Sequence, residues 1–195
     1  MVHCSAFRLE LELHHTMLDS NQHFLVVTAL GSDQGGILEA FTKVSKQSGC
    51  NIIESKLATL GEECTLLCHL AGTWNTIAKL EANLPLLAQQ FKLSIQSKRT
   101  SPKGAFTALP YQIQIIGQDR PGILNEVSAY FSKEGILIEK MECETYLAKN
   151  QTPMTQITFL VNIPAKRLIA SLRDEFLQYC EYRNLDVLME PWGQK

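Results

Sequence analysis

The sequence has no apolar run near the ~18–20 residues that cross a bilayer, which excludes a conventional membrane-spanning helix. It also lacks an excess of either charge. Lys and Arg number 18 against 20 Asp and Glu, a formal charge of −2, whereas a self-sufficient nucleic-acid binder ordinarily carries a basic excess that follows phosphate. Absent too are G-x-S-x-G, H-E-x-x-H, a P-loop and a dinucleotide fingerprint, so the chain is expected to be no enzyme and to need no cofactor. No charged, apolar, small-residue leader opens it. Cys4, Cys50, Cys64, Cys68, Cys143 and Cys180 are therefore read as reduced thiols of a cytoplasmic protein. Cys64 and Cys68 have a metal-like spacing, but in a strand they stand ~13 Å apart, too far for one zinc ion or a disulfide. They are expected in a core, and no metal site is expected. His69 next to Cys68 makes no dyad, because strand neighbours face opposite sides.

What the chain does have is a repeat. Its 195 residues with 45% hydrophobic side chains suffice for one domain or two small cores, and matching the sequence against itself decides between them. Gly31-Ser32-Asp33-Gln34-Gly35-Gly36-Ile37-Leu38 matches Gly117-Gln118-Asp119-Arg120-Pro121-Gly122-Ile123-Leu124 at a shift of 86, and Gly49 meets Gly135 at the same shift. An alternating strand precedes each motif, Phe24–Leu30 or Tyr111–Ile116. After it the apolar period changes to about 3.6, through Ile37, Leu38, Phe41 and Val44 or Ile123, Leu124, Val127, Tyr130 and Phe131. Gly49 and Gly135 are expected to stop these helices. Two strands follow, Ile52–Leu60 and Glu63–Ala71 or Ile138–Tyr146 and Thr155–Ile163. A second helix over Trp74–Gln90 or Pro164–Tyr182 and a last strand over Leu93–Lys98 or Leu185–Glu190 complete each copy. Pro85 predicts a kink or break in its helix.

Each copy reads βαββαβ. The predicted fold class is α+β: two ferredoxin-like units, each a four-stranded antiparallel sheet with two helices on one face. The units span 22–99 and 109–192, with a linker over 100–108. The extension 1–21 is either foreign to the fold or an edge strand built from Phe7–Leu13. Alternation turns Leu25, Val27 and Ala29 towards the helices and leaves Phe24, Val26 and Thr28 as an apolar stripe on the open face. Side-by-side sheet pairing of the halves and a homo-oligomer are the expected cover. The outward set of the third strand, Thr65, Leu67 and His69 or Thr158, Leu160 and Asn162, offers no aromatic platform for stacking bases, so no direct nucleic-acid binding is expected.

The shared D-x-x-G-I turn lies where the first strand becomes the first helix. Asp33 or Asp119 can accept backbone N–H groups there, Gly36 or Gly122 allows a close approach to the backbone, and the free N–H groups of a helix start favour a small anion. Two βαββαβ units with this turn resemble tandem ACT domains, the small-molecule-sensing modules of amino-acid metabolism. Val27-Thr28-Ala29-Leu30-Gly31-Ser32-Asp33-Gln34-Gly35-Gly36-Ile37, with Gly49-Cys50-Asn51-Ile52, Leu57–Glu63 and Gly72-Thr73-Trp74-Asn75, resembles the family of bacterial glycine cleavage system transcriptional repressors over about residues 22–192. The resemblance implies a regulator without its own DNA-reading domain. Such a regulator restrains a LysR-type activator of the glycine cleavage operon by protein contact and is relieved by a small amino acid, expected to be glycine; the other reading is an amino-acid sensor that regulates an enzyme. It also implies ligand contacts at the first-turn loop and the start of the second strand. These are Asp33, Gln34, Gly35, Gly36, Ile37, Leu38, Asn51 and Ile52 in the first copy, and Asp119, Arg120, Gly122, Ile123, Leu124 and Asn125 in the second. Leu137 stands where Asn51 would repeat. Gln34-Gly35 replaces the usual Arg-Pro, so the first loop is expected to be looser than the second.

Overall fold

A computed structural model describes residues 22–32, 36–102 and 108–193. The extension 1–21 with Phe7–Leu13, the turn residues Asp33, Gln34 and Gly35, and 103–107 of the linker lie outside the described residues. The chain divides into two compact units, Met1–Gly104 and Ala105–Lys195. The first contains β1 (His23–Ser32), α1 (Ile37–Ser48), β2 (Asn51–Leu60), β3 (Glu63–Gly72), α2 (Trp74–Phe91) and β4 (Ser94–Thr100). The second repeats the order as β5 (Ala108–Gln118), α3 (Ile123–Lys133), β6 (Leu137–Leu147), β7 (Pro153–Pro164), α4 (Ile169–Glu181) and β8 (Leu185–Pro191). Each makes one antiparallel sheet, ordered β2-β3-β1-β4 or β6-β7-β5-β8. Both units thus have the βαββαβ α+β fold expected from the repeat.

Period-two alternation fills the cores. Leu25, Val27 and Ala29 on β1 and Cys64, Leu66, Cys68 and Leu70 on β3 are buried, and most of them pack against Phe41, Ile77, Leu80 and Leu84 of the helices. Ile113 and Ile115 with Ile157, Phe159 and Val161 do the same against Val127, Phe131 and Phe176. Cys64 and Cys68 are thus core residues, and the described cysteines are all free. The apolar stripe is less open than the alternation implies: Phe24 is only 6% exposed, with its ring tilted against His69 at 5.6 Å.

Two expectations need correction. Helix α2 runs unbroken through Pro85. The proline forfeits one backbone hydrogen bond, a net loss of about 1 kcal/mol, while its neighbours Leu84 and Leu87 are buried at ~1.5–3 kcal/mol each, so packing prevails. The second helix of unit two begins at Ile169, not Pro164, because Pro164 ends β7 and its carbonyl accepts the Arg167 N–H at 2.9 Å in a turn. Strands β4 and β5 also reach Thr100 and Ala108, inside the 100–108 segment read as linker. Both β2 and β6 shift register near their starts, between Ile52 and Glu54 and between Ile138 and Lys140, the same place in the repeat.

The glycine that ends the strand segment before each turn has a packing role. A Cβ on Gly31 would stand 2.7 Å from Cδ2 of Leu93 and 3.2 Å from the Lys92 carbonyl oxygen, and one on Gly117 would stand 2.5 Å from Cδ2 of Leu185. Leu93, just before β4, and Leu185, at the start of β8, fill that notch. Gly31→Ala and Gly117→Ala are therefore expected to destabilise their units by about 1–3 kcal/mol through overpacking, read as a lower urea midpoint with an unchanged slope. An unchanged midpoint would remove the notch from the account.

Candidate functional site

The turn that leads into the first helix needs a backbone conformation that most side chains resist. Gly36 and Gly122 sit at φ 81° and 99° as the residues preceding α1 and α3, where an L side chain is strained. Around Gly122 an added Cβ would meet nothing within 4 Å, and around Gly36 it would meet only Phe91 Cε1 at 4.0 Å. Among the described residues, nothing crowds the Cβ direction of either glycine. The carbonyls of Gly36 and Gly122 accept from Ala40 and Glu126, closing the first helical turn, and among the described residues neither helix start has a side-chain cap.

Asp119 does not cap α3. Its Oδ1 accepts the Thr155 hydroxyl at 2.5 Å and its N–H donates to the Pro153 carbonyl at 2.9 Å, which ties the turn to the start of β7. The expected backbone acceptor is thus engaged elsewhere, and the N–H groups of Ile123, Leu124 and Asn125 face the turn without it. Of these residues Ile123 is buried in the core, as is Ile37. Leu38 and Leu124, at 47% and 36% exposure, are the apolar side chains presented beside the two turns. Asn125 is exposed, and its carbonyl accepts the Ser128 hydroxyl.

Arg120 is an exposed arginine, and it is paired. Its two terminal nitrogens donate to the two carboxylate oxygens of Glu126 at 2.8 and 2.7 Å. Arg183 Nε lies 3.4 Å from the same carboxylate, while its guanidinium stacks 3.6 Å over the Tyr179 ring and donates to the Tyr179 carbonyl. The Tyr179 hydroxyl donates to the Glu126 carbonyl at 2.9 Å. Two cations thus converge on one carboxylate in the first turn of α3. Unit one has Ala40 where Glu126 stands and cannot build this network.

The predicted contacts fall into two places. Ser32 closes β1 opposite Glu63, beside Leu60, whereas Asn51 and Ile52 open β2 opposite Ala71 and Leu70. Strand β2 is 10 residues long, so ~30 Å at ~3.3 Å per step separates its ends. Leu137 and Ile138 are likewise remote from Asp119 along β6. Within one unit a single small ligand cannot touch both the turn and the start of the second strand. Gly36–Leu38 and Asp119–Asn125 come together as turns; Asn51 and Ile52 do not join them. Thr155, Glu126, Tyr179 and Arg183 were not singled out from the sequence, and Cys143 was read only as a reduced thiol. Thr155 was the readable one: a hydroxyl at an inward position of an otherwise apolar strand needs a buried partner.

Burial and, after it, the Asp119 carboxylate push the Cys143 thiol up, and Cys143 is exposed. Burial alone pushes Cys68 up to about 11, and burial pushes Cys180 up to about 12 despite Arg183. At pH 8 an alkylating agent is accordingly expected to modify Cys143 while sparing Cys50, Cys64, Cys68 and Cys180, and Asp119→Asn is expected to speed the Cys143 reaction. Equal rates in the two proteins would separate Asp119 from that thiol.

The hydrogen bonds from Arg120 hold Glu126 below its ordinary value of 4.5. A depressed carboxyl stabilises the fold above its ordinary range, and that contribution is lost as pH falls through the folded value. The stability difference between the native chain and Glu126→Gln is expected to be small, as for exposed pairs, constant from neutrality down to about pH 4.5, and absent in stronger acid. A difference that grows on acidification would contradict the pairing.

Residues 23–98 match the ACT domain family. Over 168 residues the chain is 34% identical to the glycine cleavage system transcriptional repressor of Escherichia coli (strain K12), covering 85% of this chain and 88% of that one. The Shigella flexneri protein of the same name matches equally. A crystal structure provisionally described as a glycine cleavage system transcriptional repressor superposes with a TM-score of 0.71 at 27% identity, covering 90% of this chain and 100% of that one. A Galdieria sulphuraria protein of unknown role has a TM-score of 0.72 at 23% identity, covering 88% of this chain and 99% of that one, a likeness of fold. No helix among the described residues is long and apolar enough to cross a membrane. With its two ACT-type units and this extent of identity, the chain belongs to the family of glycine cleavage system transcriptional repressors.

Proposed function

We propose that the chain is a glycine-responsive negative regulator of glycine cleavage operon transcription, acting by protein contact with a LysR-type activator and not by binding DNA itself. Family membership supports the negative regulation. The observation that carries the ligand half is the first turn of α3. Gly122 holds it open at positive φ, Asp119 is turned away to Thr155, and the uncapped N–H groups of a helix start attract a carboxylate of glycine's size. The exposed Leu124 beside it favours an apolar cover over a bulk-water setting. Unit two is the better candidate, since its Pro121 fixes φ where unit one has Gly35. The near-neutral charge and the outward Thr65, Leu67, Thr158 and Leu160 support action without a DNA-reading surface of its own. The exposed faces of β2 and β6 support a homo-oligomer.

Calorimetric titration with glycine, alanine and serine tests the ligand half. Glycine is expected to bind, and Gly122→Val to weaken it at least tenfold with the circular dichroism spectrum unchanged. Activator-dependent transcription from the glycine cleavage promoter, reconstituted with and without the chain, is expected to fall on its addition and recover with glycine. Silence of the whole panel would end the sensor reading, and tight, salt-sensitive binding of the chain alone to operator DNA would end the protein-contact reading.

A further inference from the structure

We propose that the free edge of β8 in unit two is a docking strand for an extended, basic segment of a partner protein. Strand β8 ends its sheet and pairs with β5 alone. The register tells which of its backbone groups are spent. Trp192 N–H donates to the Pro110 carbonyl at 2.9 Å, and bonded and open positions alternate along an antiparallel pair. Glu190, Leu188 and Asp186 therefore bond to Gln112, Gln114 and Ile116, while Val187 and Met189 turn their backbone groups to the free side. Arg173 agrees, since it donates from α4 to the Met189 carbonyl at 3.0 Å. Pro191 falls on an open position, where a missing N–H costs no ladder bond. Val187 is left holding a donor and an acceptor out to whatever lies alongside.

An open groove of about 610 Å³ adjoins this strand, lined by Leu177 and Glu181 of α4 and by Asn184, Leu185, Asp186 and Val187. That volume lies within the ~300–1,000 Å³ of sites that enclose a bound molecule. Leu177 is 41% exposed and stands one helical turn before Glu181, on the same side of α4, so an apolar wall accompanies the free backbone groups. Charge selects the occupant. The Glu181 and Asp186 carboxylates form no ion pair among the described residues, and Arg183, two residues after Glu181, is engaged by Glu126 and the Tyr179 ring. Glu181 comes from the helix layer, whereas Asp186 points to the outer face with its partner Ile116. Side chains of an added strand alternate between those two sides, so two successive basic residues answer both carboxylates, the backbone ladder supplying the rest of the contact. Unit one blunts the equivalent edge. Ser94 follows Leu93 where Asp186 follows Leu185, and β4 carries Lys98 and Arg99; lysine on an edge strand discourages pairing, and β8 has none. Strand β4 is thus an internal control. The docking edge does not depend on the turn at Asp119–Asn125 and stands whether or not that turn binds glycine.

The test is backbone-amide nuclear magnetic resonance of the full chain, titrated with the blocked peptide Ser-Val-Thr-Lys-Lys-Val-Thr-Ser. Its glutamate counterpart, with Glu-Glu for Lys-Lys, and two versions of the lysine peptide N-methylated on alternate residues, each of which blocks one edge of the peptide, complete the set. The lysine peptide is expected to shift the amides of Asp186–Met189 saturably, to slow hydrogen exchange at Val187 and to leave the β4 amides unmoved. The glutamate peptide and one of the two N-methylated peptides are expected to bind at least tenfold more weakly. Glu181→Lys/Asp186→Lys is expected to reverse the preference between the lysine and glutamate peptides, a gain that a misfolded variant does not produce. No saturable shift in β8, an equal response to the glutamate peptide, equal binding of both N-methylated peptides, or an unreversed preference in the double variant would overturn the proposal.

Discussion

A sheet covered by helices on one face only forces every second side chain into a dry core and leaves the next one to solvent or a partner. In unit one that single constraint buries Leu25, Val27 and Ala29 beside Leu66 and Leu70 and places Val26, Leu67 and His69 on the other side. It also dictates the turn. Between Ser32, the end of β1, and Ile37, the start of α1, the chain must leave the sheet plane and enter the helix layer above it. Positive φ at Gly36, and at Gly122 in the second unit, makes that change of direction. The helix start after each glycine is thus a by-product of how the layers stack.

Duplication kept this frame and changed the chemistry hung on it. The inward position next to the turn is Cys64 in one unit and Thr155 in the other, each opposite the glycine that precedes the turn. A thiol there is a small core hydrophobe, while the hydroxyl needs an acceptor and finds Asp119. Arg120, Glu126 and Arg183 then stiffen the second turn by charge, a device unit one cannot copy with Gln34 and Ala40. On the outer face the asymmetry runs the other way, with an imidazole in unit one and Gln112 and Leu160 in unit two. Like backbones therefore carry unlike side-chain chemistry.

Most of the fold was legible in the sequence because it rests on periodicity and on glycine. The change from period two to about 3.6 after Gly31 and Gly117, and the helix stops at Gly49 and Gly135, are local signals that tertiary packing only reinforces. What was misread involved competition between local rules and packing. Proline at 85 opposes a helix, but buried Leu84 and Leu87 outweigh it, and proline at 164 closes a strand instead of opening a helix. The site was legible only as a turn. That Asn51 lies a strand's length from Ser32 follows from register, and that Arg120 meets Glu126 follows from the path of the turn. Neither is encoded in residue type or spacing. The free edge of β8 follows from its pairing with β5, which no single segment of sequence carries.

The central claim is that the opening turn of α3 holds glycine, and hydrogen exchange at the amides of Ile123, Leu124 and Asn125 reports on it most directly, since these groups lack helical acceptors of their own. Saturating glycine is predicted to slow their exchange at least several-fold while the rest of α3 exchanges as before. Unchanged exchange at all three amides under glycine concentrations that saturate any binding heat would contradict the claim.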